Sequence, residues 1–259
     1  MDKNFGNKFI FTSFSKRNFY LRSTISAFVL KKNITPISPF MNFDYNLEGL
    51  VDKSLIRIAN NTLIGKADEL WVFGEISDGV LVEIYLAKKR QIPIKYWKFD
   101  KLENSFIEIS EDKIELEDVS DWMWRMVIFG KKLDRWHPRL RFNRKYPIVY
   151  SAYSKRNFFW QMHISKYCLE NKMIPLNPFM LFRYFLGDTV SRESVYQANE
   201  RIVELCDELW VFGEISDGVQ KEIDLKEKNG GKISYFKIIN TNPVQFRKIL
   251  KKKAMIEKV

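Results

Sequence analysis

The chain has 259 residues, 46% of them hydrophobic and 29% charged, with a formal net charge of +11. This composition is typical of a folded globular protein, and no apolar run is long enough to cross a bilayer, which disfavours a membrane protein. Two cysteines and two histidines supply neither a disulfide framework nor a metal centre, so we predict no metal and no cofactor. The start, MDKNFGNKF, lacks the apolar segment of an export signal, which predicts a cytoplasmic protein.

Apolar residues in the first hundred positions alternate between the spacing of buried strands and that of amphipathic helices. In chain order the predicted elements are strand 8–14, helix 20–32, strand 34–38, helix 53–66, strand 69–73, helix 80–90 and strand 93–99. The segment 40–43, which follows the second of these strands, is predicted as a loop. This β-α-β-α-β-α-β order with short loops predicts a parallel sheet of four or more strands with helices on both faces.

The next segment separates charge of opposite sign. Residues 103–121 hold eight acidic residues and one lysine, whereas residues 131–145 hold seven basic residues and one acidic residue. A second basic stretch, residues 240–259, holds six basic residues against one acidic residue. We interpret these stretches as parts that pair with each other or stay solvated, which disfavours nucleic acid as a partner.

The second half of the chain repeats the first. The twelve residues ELWVFGEISDGV, Glu69 to Val80, recur unchanged at Glu208 to Val219, and a shift of 139 residues aligns 7–99 with 146–238 without a gap. Of these 93 positions 38 are identical. The repeat predicts a first unit at 1–100, a connector at 101–145, and a second unit with a basic tail at 146–259. The second unit's predicted elements are strand 148–153, helix 158–170, strand 173–177, helix 192–205, strand 208–212, helix 219–228 and strand 232–238.

The third helix differs between the copies. It reads VLVEIYLAKK in the first unit and VQKEIDLKEK in the second, so a face that is apolar in one copy is charged in the other. The apolar face must be covered. We predict that the aromatic connector segment containing Trp122, Trp124, Met126, Ile128 and Phe129 packs on it as a helix.

Two loops identical in both copies follow the first and third strands, where parallel sheets place their ligands. The first loop carries Ser15, Lys16, Arg17 and Asn18, repeated as Ser154, Lys155, Arg156 and Asn157. A hydroxyl, two cations and the amides of a helix start form a candidate phosphate cradle; a helix cap with solvated charges is the alternative.

The second loop carries Gly74, Ser77, Asp78 and Gly79, repeated as Gly213, Ser216, Asp217 and Gly218. Glu83 and Glu222 follow on the first turns of the next helices. Glycine admits a ligand to the backbone, and a glutamate near the helix start can attack a sugar carbon or act as a base. An ordinary N-cap with a favourable first-turn charge is the alternative reading.

At these residues the chain resembles the nucleoside 2-deoxyribosyltransferase-like superfamily, which includes the 2'-deoxynucleoside 5'-phosphate N-hydrolases and several uncharacterised bacterial families. The matching segments are FTSFSKRN, ADELWVFGEISDGVLVEIYLA and IPIKYW, with YSAYSKRN, CDELWVFGEISDGVQKEIDL and KISYFK in the second half. The resemblance implies two tandem Rossmann-like or flavodoxin-like α/β units. Family enzymes often complete their sites across a two-fold interface between subunits. The duplication could build the same arrangement within one chain, as an intramolecular pseudo-two-fold dimer. The chain would then be a monomer, and further oligomerisation stays open.

The resemblance also implies roles for single residues. Glu83 and Glu222 match the glutamate that attacks the anomeric carbon, and Ser77 and Ser216 match the group that contacts the sugar-phosphate end. Asn60 and Asn199 stand where the family uses an aspartate to protonate the departing base. Asparagine can hold a base by hydrogen bonds but cannot supply a proton.

Three functions therefore stay open at the level of sequence. The first is an enzyme that breaks or exchanges the N-glycosidic bond of a nucleotide or nucleoside phosphate. The second is a non-catalytic nucleotide-binding protein, a sensor or a sequestering module, that uses the same pockets. The third is a nucleic-acid-associated protein that grips phosphates with its basic connector and tail, and the acidic run beside them disfavours it.

Overall fold

The chain folds into two α/β units of the same topology that are joined by a connector. The computed structural model describes residues 6, 8–44, 46–141, 144–183, 186–254 and 256. The outermost parts of the predicted units, residues 1–5, 7 and 257–259, lie outside the described residues. Within the part of the chain that is described, no helix is both long enough and apolar enough to span a membrane.

Strands and helices alternate along both units. The first unit and the connector contain β1 Phe9–Phe14, α1 Arg22–Leu30, β2 Thr35–Ile37, α2 Pro39–Asn42, α3 Lys53–Ile64, β3 Glu69–Phe73, α4 Asp78–Lys89, β4 Ile94–Asp100, β5 Ser105–Ile109 and α5 Asp121–Ile128. The second unit contains β6 Ile148–Tyr153, α6 Gln161–Glu170, β7 Ile174–Leu176, α7 Pro178–Leu181, α8 Leu186–Thr189, α9 Arg192–Leu205, β8 Glu208–Phe212, α10 Asp217–Lys228, β9 Lys232–Ile239 and β10 Gln245–Ile249. Short 3₁₀ helices occur at Lys16–Leu21, Asn46–Gly49, Glu111–Lys113, Leu133–Arg135, Pro138–Arg141, Lys155–Trp160 and Lys251–Lys253.

Each unit has one five-stranded sheet. The strand order is β2-β1-β3-β4-β5 in the first unit and β10-β9-β8-β6-β7 in the second. The first four strands of each unit run parallel, and β5 and β10 are antiparallel edge strands. Two tandem doubly wound α/β units are thereby confirmed. The antiparallel fifth strands were not predicted.

The duplication extends beyond residue 100. At a spacing of 140 residues, β5 corresponds to β10 and the 3₁₀ helix Glu111–Lys113 corresponds to Lys251–Lys253. Each segment then returns to its own unit in a single parallel bridge, which joins Ile76 to Leu116 and Ile215 to Ile256. The structure therefore repeats where the sequence has diverged.

One ion pair explains part of that divergence. Lys88 Nζ lies 2.7 Å from Glu111 Oε1 in the first unit, whereas Lys251 Nζ lies 2.5 Å from Glu227 Oε1 in the second. Residues 88 and 227 are equivalent, as are 111 and 251, so the same contact carries reversed charges. The acidic run of the connector and the basic run of the tail thus occupy matching places.

Several predicted boundaries were wrong by a few residues. Helix α4 begins at Asp78 rather than at 80, and the first turn predicted for α1 is instead a 3₁₀ helix. The predicted loop 40–43 mostly belongs to α2, where Pro39 occupies the first helical turn. Proline at that position lacks only an amide that the helix does not use, so a short helix is tolerated there.

Helix α5 contacts α4, and the inward residues differ from those expected. Val127 is buried, and Met123, Trp124 and Met126 pack against the core. Trp122 is 56% exposed, Ile128 37% and Phe129 71%, so the prediction that these three residues cover α4 was wrong. An eight-residue helix presents about half of its side chains to its support; Trp122 and Ile128 fall on the other half, and Phe129 follows the last residue of the helix.

The charged face of α10 is handled differently. Lys226 replaces Ala87, and although it is buried its ammonium group donates to the carbonyl oxygen of Val203 at 3.1 Å and to that of Cys206. These carbonyls lie at the carboxyl end of α9. A buried lysine is tolerated there because the end of a helix offers acceptors and a favourable dipole.

The two units share an interface. Helix α2 contacts α7, its equivalent in the second unit, and one large apolar core includes residues of both units and of the connector. Buried Asn42 donates to Pro175 O at 2.7 Å and accepts from Asn177 N at 3.0 Å. The guanidinium of Arg183 pairs with Asp44, the residue at the equivalent position in the first unit.

Candidate functional site

A cavity of about 370 Å³ opens in the first unit at the carboxyl ends of β1 and β3. The strand order reverses between these two strands, and this is where doubly wound sheets bind ligands. Its wall combines aromatic rings, cations, carboxylates and one amide. The lining residues are Thr12, Phe14, Lys16, Pro39, Phe40, Phe43, Asp44, Lys53, Ile56, Arg57, Asn60, Ser77, Asp78, Gly79, Val80, Glu83, Glu117, Asp118 and Arg139.

Glu83 places its carboxyl group in this wall. It extends from α4 and accepts a hydrogen bond from the hydroxyl of Ser13, a buried residue of β1. Burial raises the pKa of Glu83 to about 7, and the Ser13 hydrogen bond and the positive charge of Arg139 oppose that rise. Near neutral pH the group is therefore divided between its acid and its carboxylate.

Three buried polar atoms in the wall have no hydrogen-bond partner among the described residues. They are Oγ1 of Thr12, Oδ1 of Asn60 and Oε2 of Glu117. Leaving such an atom unpaired costs about 1–3 kcal/mol, so native proteins seldom do so without a water or a ligand. These atoms give the cavity wall hydrogen-bonding capacity that no described protein group satisfies.

The connector supplies one side of the cavity, which the sequence did not predict. Asp118 Oδ1 accepts from the amide of Asp78 at 2.9 Å, so a carboxylate of the protein occupies the amino end of α4. His137 Nδ1 accepts from the amide of Arg139 at 3.3 Å, which leaves Nε2 to donate to Asp78 Oδ1 at 2.6 Å. That hydrogen bond is the main cause of the lowered pKa of Asp78.

Arg139 lies over the same helix end. Its Nε is 3.4 Å from Asp78 Oδ2, and a Cβ added to Gly79 would lie 2.7 Å from its Nη1. Gly79 thus admits a connector side chain rather than leaving the backbone open to a ligand. At the equivalent Gly218 the nearest described atom is Ser216 Oγ, at 4.0 Å.

The predicted phosphate cradle of the first unit is largely engaged in other contacts. Ser15 Oγ accepts from the amide of Arg17, and Arg17 Nε pairs with Glu117 Oε1 at 2.9 Å. Asn18 donates to Glu75 at 3.1 Å, and its amide nitrogen would lie 2.5 Å from a Cβ at Gly74, where φ is +79°. Gly74 and Asn18 therefore join the two loops to each other, and only Lys16 of this group lines the cavity.

The second unit repeats these loop contacts. Ser154 Oγ accepts from the amide of Arg156 at 3.2 Å, Asn157 donates to Glu214 at 3.4 Å, and Asn157 crowds Gly213 as Asn18 crowds Gly74. Ser216 Oγ accepts from the amide of Val219 at 3.5 Å as an N-cap. The other predicted residues of these loops are exposed, namely Lys155, Arg156, Asp217 and Gly218.

Glu222 has different partners from Glu83. Its Oε1 lies 2.5 Å from the hydroxyl of Tyr150 and accepts from Nδ2 of Asn199 at 3.1 Å. The same hydroxyl lies 2.8 Å from Asn199 Oδ1, and its single proton serves one of the two acceptors at a time. Burial raises the pKa of Glu222 to about 7 against both hydrogen bonds.

The negative charge of the cavity wall in the first unit is partly neutralised by neighbouring cationic side chains. Asp44 pairs with Arg183, Glu117 with Arg17, and Asp78 with Arg139. Within the described residues Lys16 and Lys53 make no ion pair, although both line the cavity. The wall of the cavity therefore holds two ammonium groups that pair with no described carboxylate, and a glutamate that is only partly ionised at neutral pH.

Sequence comparison of the two copies could not reveal several of these residues. Ser13 corresponds to Ala152, and Phe11 to Tyr150, so the groups that contact the two glutamates differ between copies. The connector supplies Glu117, Asp118, His137 and Arg139. The charged residues around them have the pattern that is typical of a solvated surface, so they gave no indication of a site. Their one usable signal was the presence of a histidine in a chain that has only two.

The fold and the cavity define a tandem α/β protein whose first unit has a polar cavity at the carboxyl ends of its strands. The chain belongs to the family described as Domain of unknown function (DUF7768), which matches residues 11–97 and 148–236, one match in each unit. No curated protein and no solved structure matches the chain.

Proposed function

We propose that the first unit binds a nucleoside phosphate or a related nucleotide and acts on its N-glycosidic bond through Glu83. The observation that carries the proposal is the cavity with three unpartnered buried polar atoms beside a glutamate of raised pKa. Its volume of about 370 Å³ lies within the range of small-molecule sites, roughly 300–1,000 Å³. Perturbed carboxyl groups in clefts are characteristic of functional sites.

The lining fits the parts of such a ligand. Phe14, Phe40 and Phe43 offer an aromatic wall for a base, and Asn60 Oδ1 offers an acceptor for an amino or hydroxyl group. Lys16 and Lys53 supply positive charge for a phosphate. A ligand that carries all three features satisfies both the polar and the aromatic parts of the wall.

The chemistry follows from the carboxylate. Ionised Glu83 attacks the sugar carbon that bears the base, and the base leaves with the electrons of the broken carbon–nitrogen bond. Water or a second base then attacks the glycosyl ester and releases Glu83. Since Asn60 cannot donate a proton to the leaving base, that proton comes from solvent.

The missing acid favours a second function. A protein that holds a nucleotide without cleaving it needs the aromatic wall, the cations and Asn60, but no proton donor. A sensor or a sequestering module of this kind would use the same cavity.

The test is to incubate the protein with a panel of nucleoside monophosphates and dinucleotides and to measure released base by chromatography. We expect turnover that Glu83→Gln abolishes, because an amide cannot form the glycosyl ester. Glu103→Gln, at an exposed residue away from the cavity, is the matched control and should keep the rate. Saturable binding with no turnover would support the second function, and absence of binding by every member of the panel would defeat both.

A further inference from the structure

The two copies of the glutamate are held by different hydroxyl groups. On the first strand of each unit, Phe11 and Ser13 in one copy correspond to Tyr150 and Ala152 in the other. Each strand therefore supplies one buried hydroxyl to its glutamate, from Ser13 in the first unit and from Tyr150 in the second. When the two copies are aligned, the two donors lie two positions apart on the strand.

This exchange changes the state of the neighbouring asparagine. In the second unit polar atoms of Tyr150, Asn199 and Glu222 form a closed triangle of contacts within hydrogen-bond distance, in which the one tyrosine proton serves either Asn199 or Glu222, and Tyr150 is fully buried. In the first unit Phe11 has no hydroxyl, and Oδ1 of Asn60 has no partner among the described residues. The amide oxygen that has a partner in one copy lacks one among the described residues in the other.

From this contrast we infer that the first unit alone presents its glutamate to a ligand. Tyr150 engages both Glu222 and Asn199, and Glu222 serves the stability of the second unit. Tyr150 is thus a positioning residue that holds Glu222 and Asn199 against each other. The inference rests on the proposed function for the identity of the ligand, but the role of Tyr150 does not.

The presence of a glutamate at position 222, as at position 83, then has a structural cause. A buried tyrosine hydroxyl and a buried amide both need an acceptor, and the carboxyl group of Glu222 provides it. Loss of any member of the triangle leaves the other two short of a partner. Among the residues that the structure describes, Glu83 has one hydrogen-bond partner, Ser13, and the glutamate lines the cavity.

The first experiment needs no ligand. Tyr150→Phe should lower the melting temperature by about 4 °C, because Glu222 and Asn199 lose a buried partner. Adding Ala152→Ser to that variant, which copies the arrangement of the first unit, should recover part of the loss. An unchanged melting temperature in Tyr150→Phe would overturn the role given to Tyr150.

The second experiment transplants the closed arrangement into the first unit. Phe11→Tyr with Ser13→Ala should place a hydroxyl between Glu83 and Asn60, so we expect the melting temperature to hold and the affinity for nucleotide to fall about tenfold or more. Tyr150→Phe should leave affinity and turnover unchanged. Titration calorimetry of the intact wild-type chain should give one site per chain.

Two sites per chain, or loss of turnover in Tyr150→Phe, would overturn the inference while leaving the proposed function in place. If no nucleotide binds the wild-type chain, the proposed function fails instead. The melting temperature of Tyr150→Phe then still decides whether Tyr150 and Glu222 are structural.

Discussion

The ionisation of Glu83 links the site to pH. Burial raises its pKa from 4.5 to about 7, so the folded chain binds a proton at Glu83 more tightly than the unfolded chain does. The stabilisation associated with that proton is complete below about pH 4.5, the pKa of the unfolded chain. It is lost as the pH rises through 7, and Glu222 contributes in the same direction.

We therefore expect the free energy of unfolding to fall between pH 5 and pH 8, with a contribution of about 2–3 kcal/mol from Glu83. Glu83→Gln should remove that contribution, since glutamine does not titrate, and urea unfolding at the two pH values measures it. Turnover should rise over the same range, because the nucleophile must be ionised. A Glu83→Gln variant with the pH dependence of the wild type would contradict the assignment, and Glu103→Gln serves as the control.

Six residues that the sequence predicted for the site line the cavity, namely Lys16, Asn60, Ser77, Asp78, Gly79 and Glu83, whereas several other predicted residues have a different role. Identity between copies marked Asn18 and Gly74, yet these two residues hold neighbouring loops together through a close contact. Identity reports any shared constraint, and packing of a loop is one of them. The differences at Ser13 and Tyr150 carry the information that separates the two glutamates.

At the scale of elements, α4 and α5 depend on each other. Leu81, Val82 and Tyr85 of α4 belong to the same buried core as Val127 of α5, and Trp124 packs against that core. Trp124→Ala should lower the free energy of unfolding by about 2–3 kcal/mol, because it removes a large half-buried ring. Chemical denaturation followed by circular dichroism measures the change.

Trp122→Ala is the matched control on the same helix. Its ring is 56% exposed, so we expect a change below about 0.5 kcal/mol. Equal effects of the two substitutions would refute the orientation of α5.

The elements that the sequence predicted are those with a compact apolar run, such as β3, or with apolar residues at helical spacing, such as α3. The edge strands β5 and β10 escaped prediction because they are exposed on one side, and their sequences SFIEI and QFRKI mix charge with apolar residues. They also differ in charge between copies, so the repeat could not be followed into them by identity. Reversal of the ion pair at Lys88 and Glu111 kept the contact while erasing the sequence similarity.

At the scale of the whole molecule, the interface shows how two copies became specialised for each other. Asp44 and Arg183 occupy equivalent positions and pair across the interface of the units. Two identical charged residues at these positions would repel each other, so a single chain can use a contact that a dimer of identical units could not. The contact of Asn42 is likewise made by one copy only, since the equivalent residue in the second unit is Leu181.

Exchange of the two charges tests that arrangement. Asp44→Arg alone should destabilise the chain by about 2–3 kcal/mol, because it sets two guanidinium groups against each other in a half-buried contact. Asp44→Arg combined with Arg183→Asp restores a pair of opposite charges. Arg22, whose pKa is influenced by both groups, then still has one cation and one carboxylate near it. Differential scanning calorimetry should therefore place the double variant nearer to the wild type than to the single variant. A double variant no more stable than the single one would mean that the surroundings of each residue, rather than the pair, determine the contact.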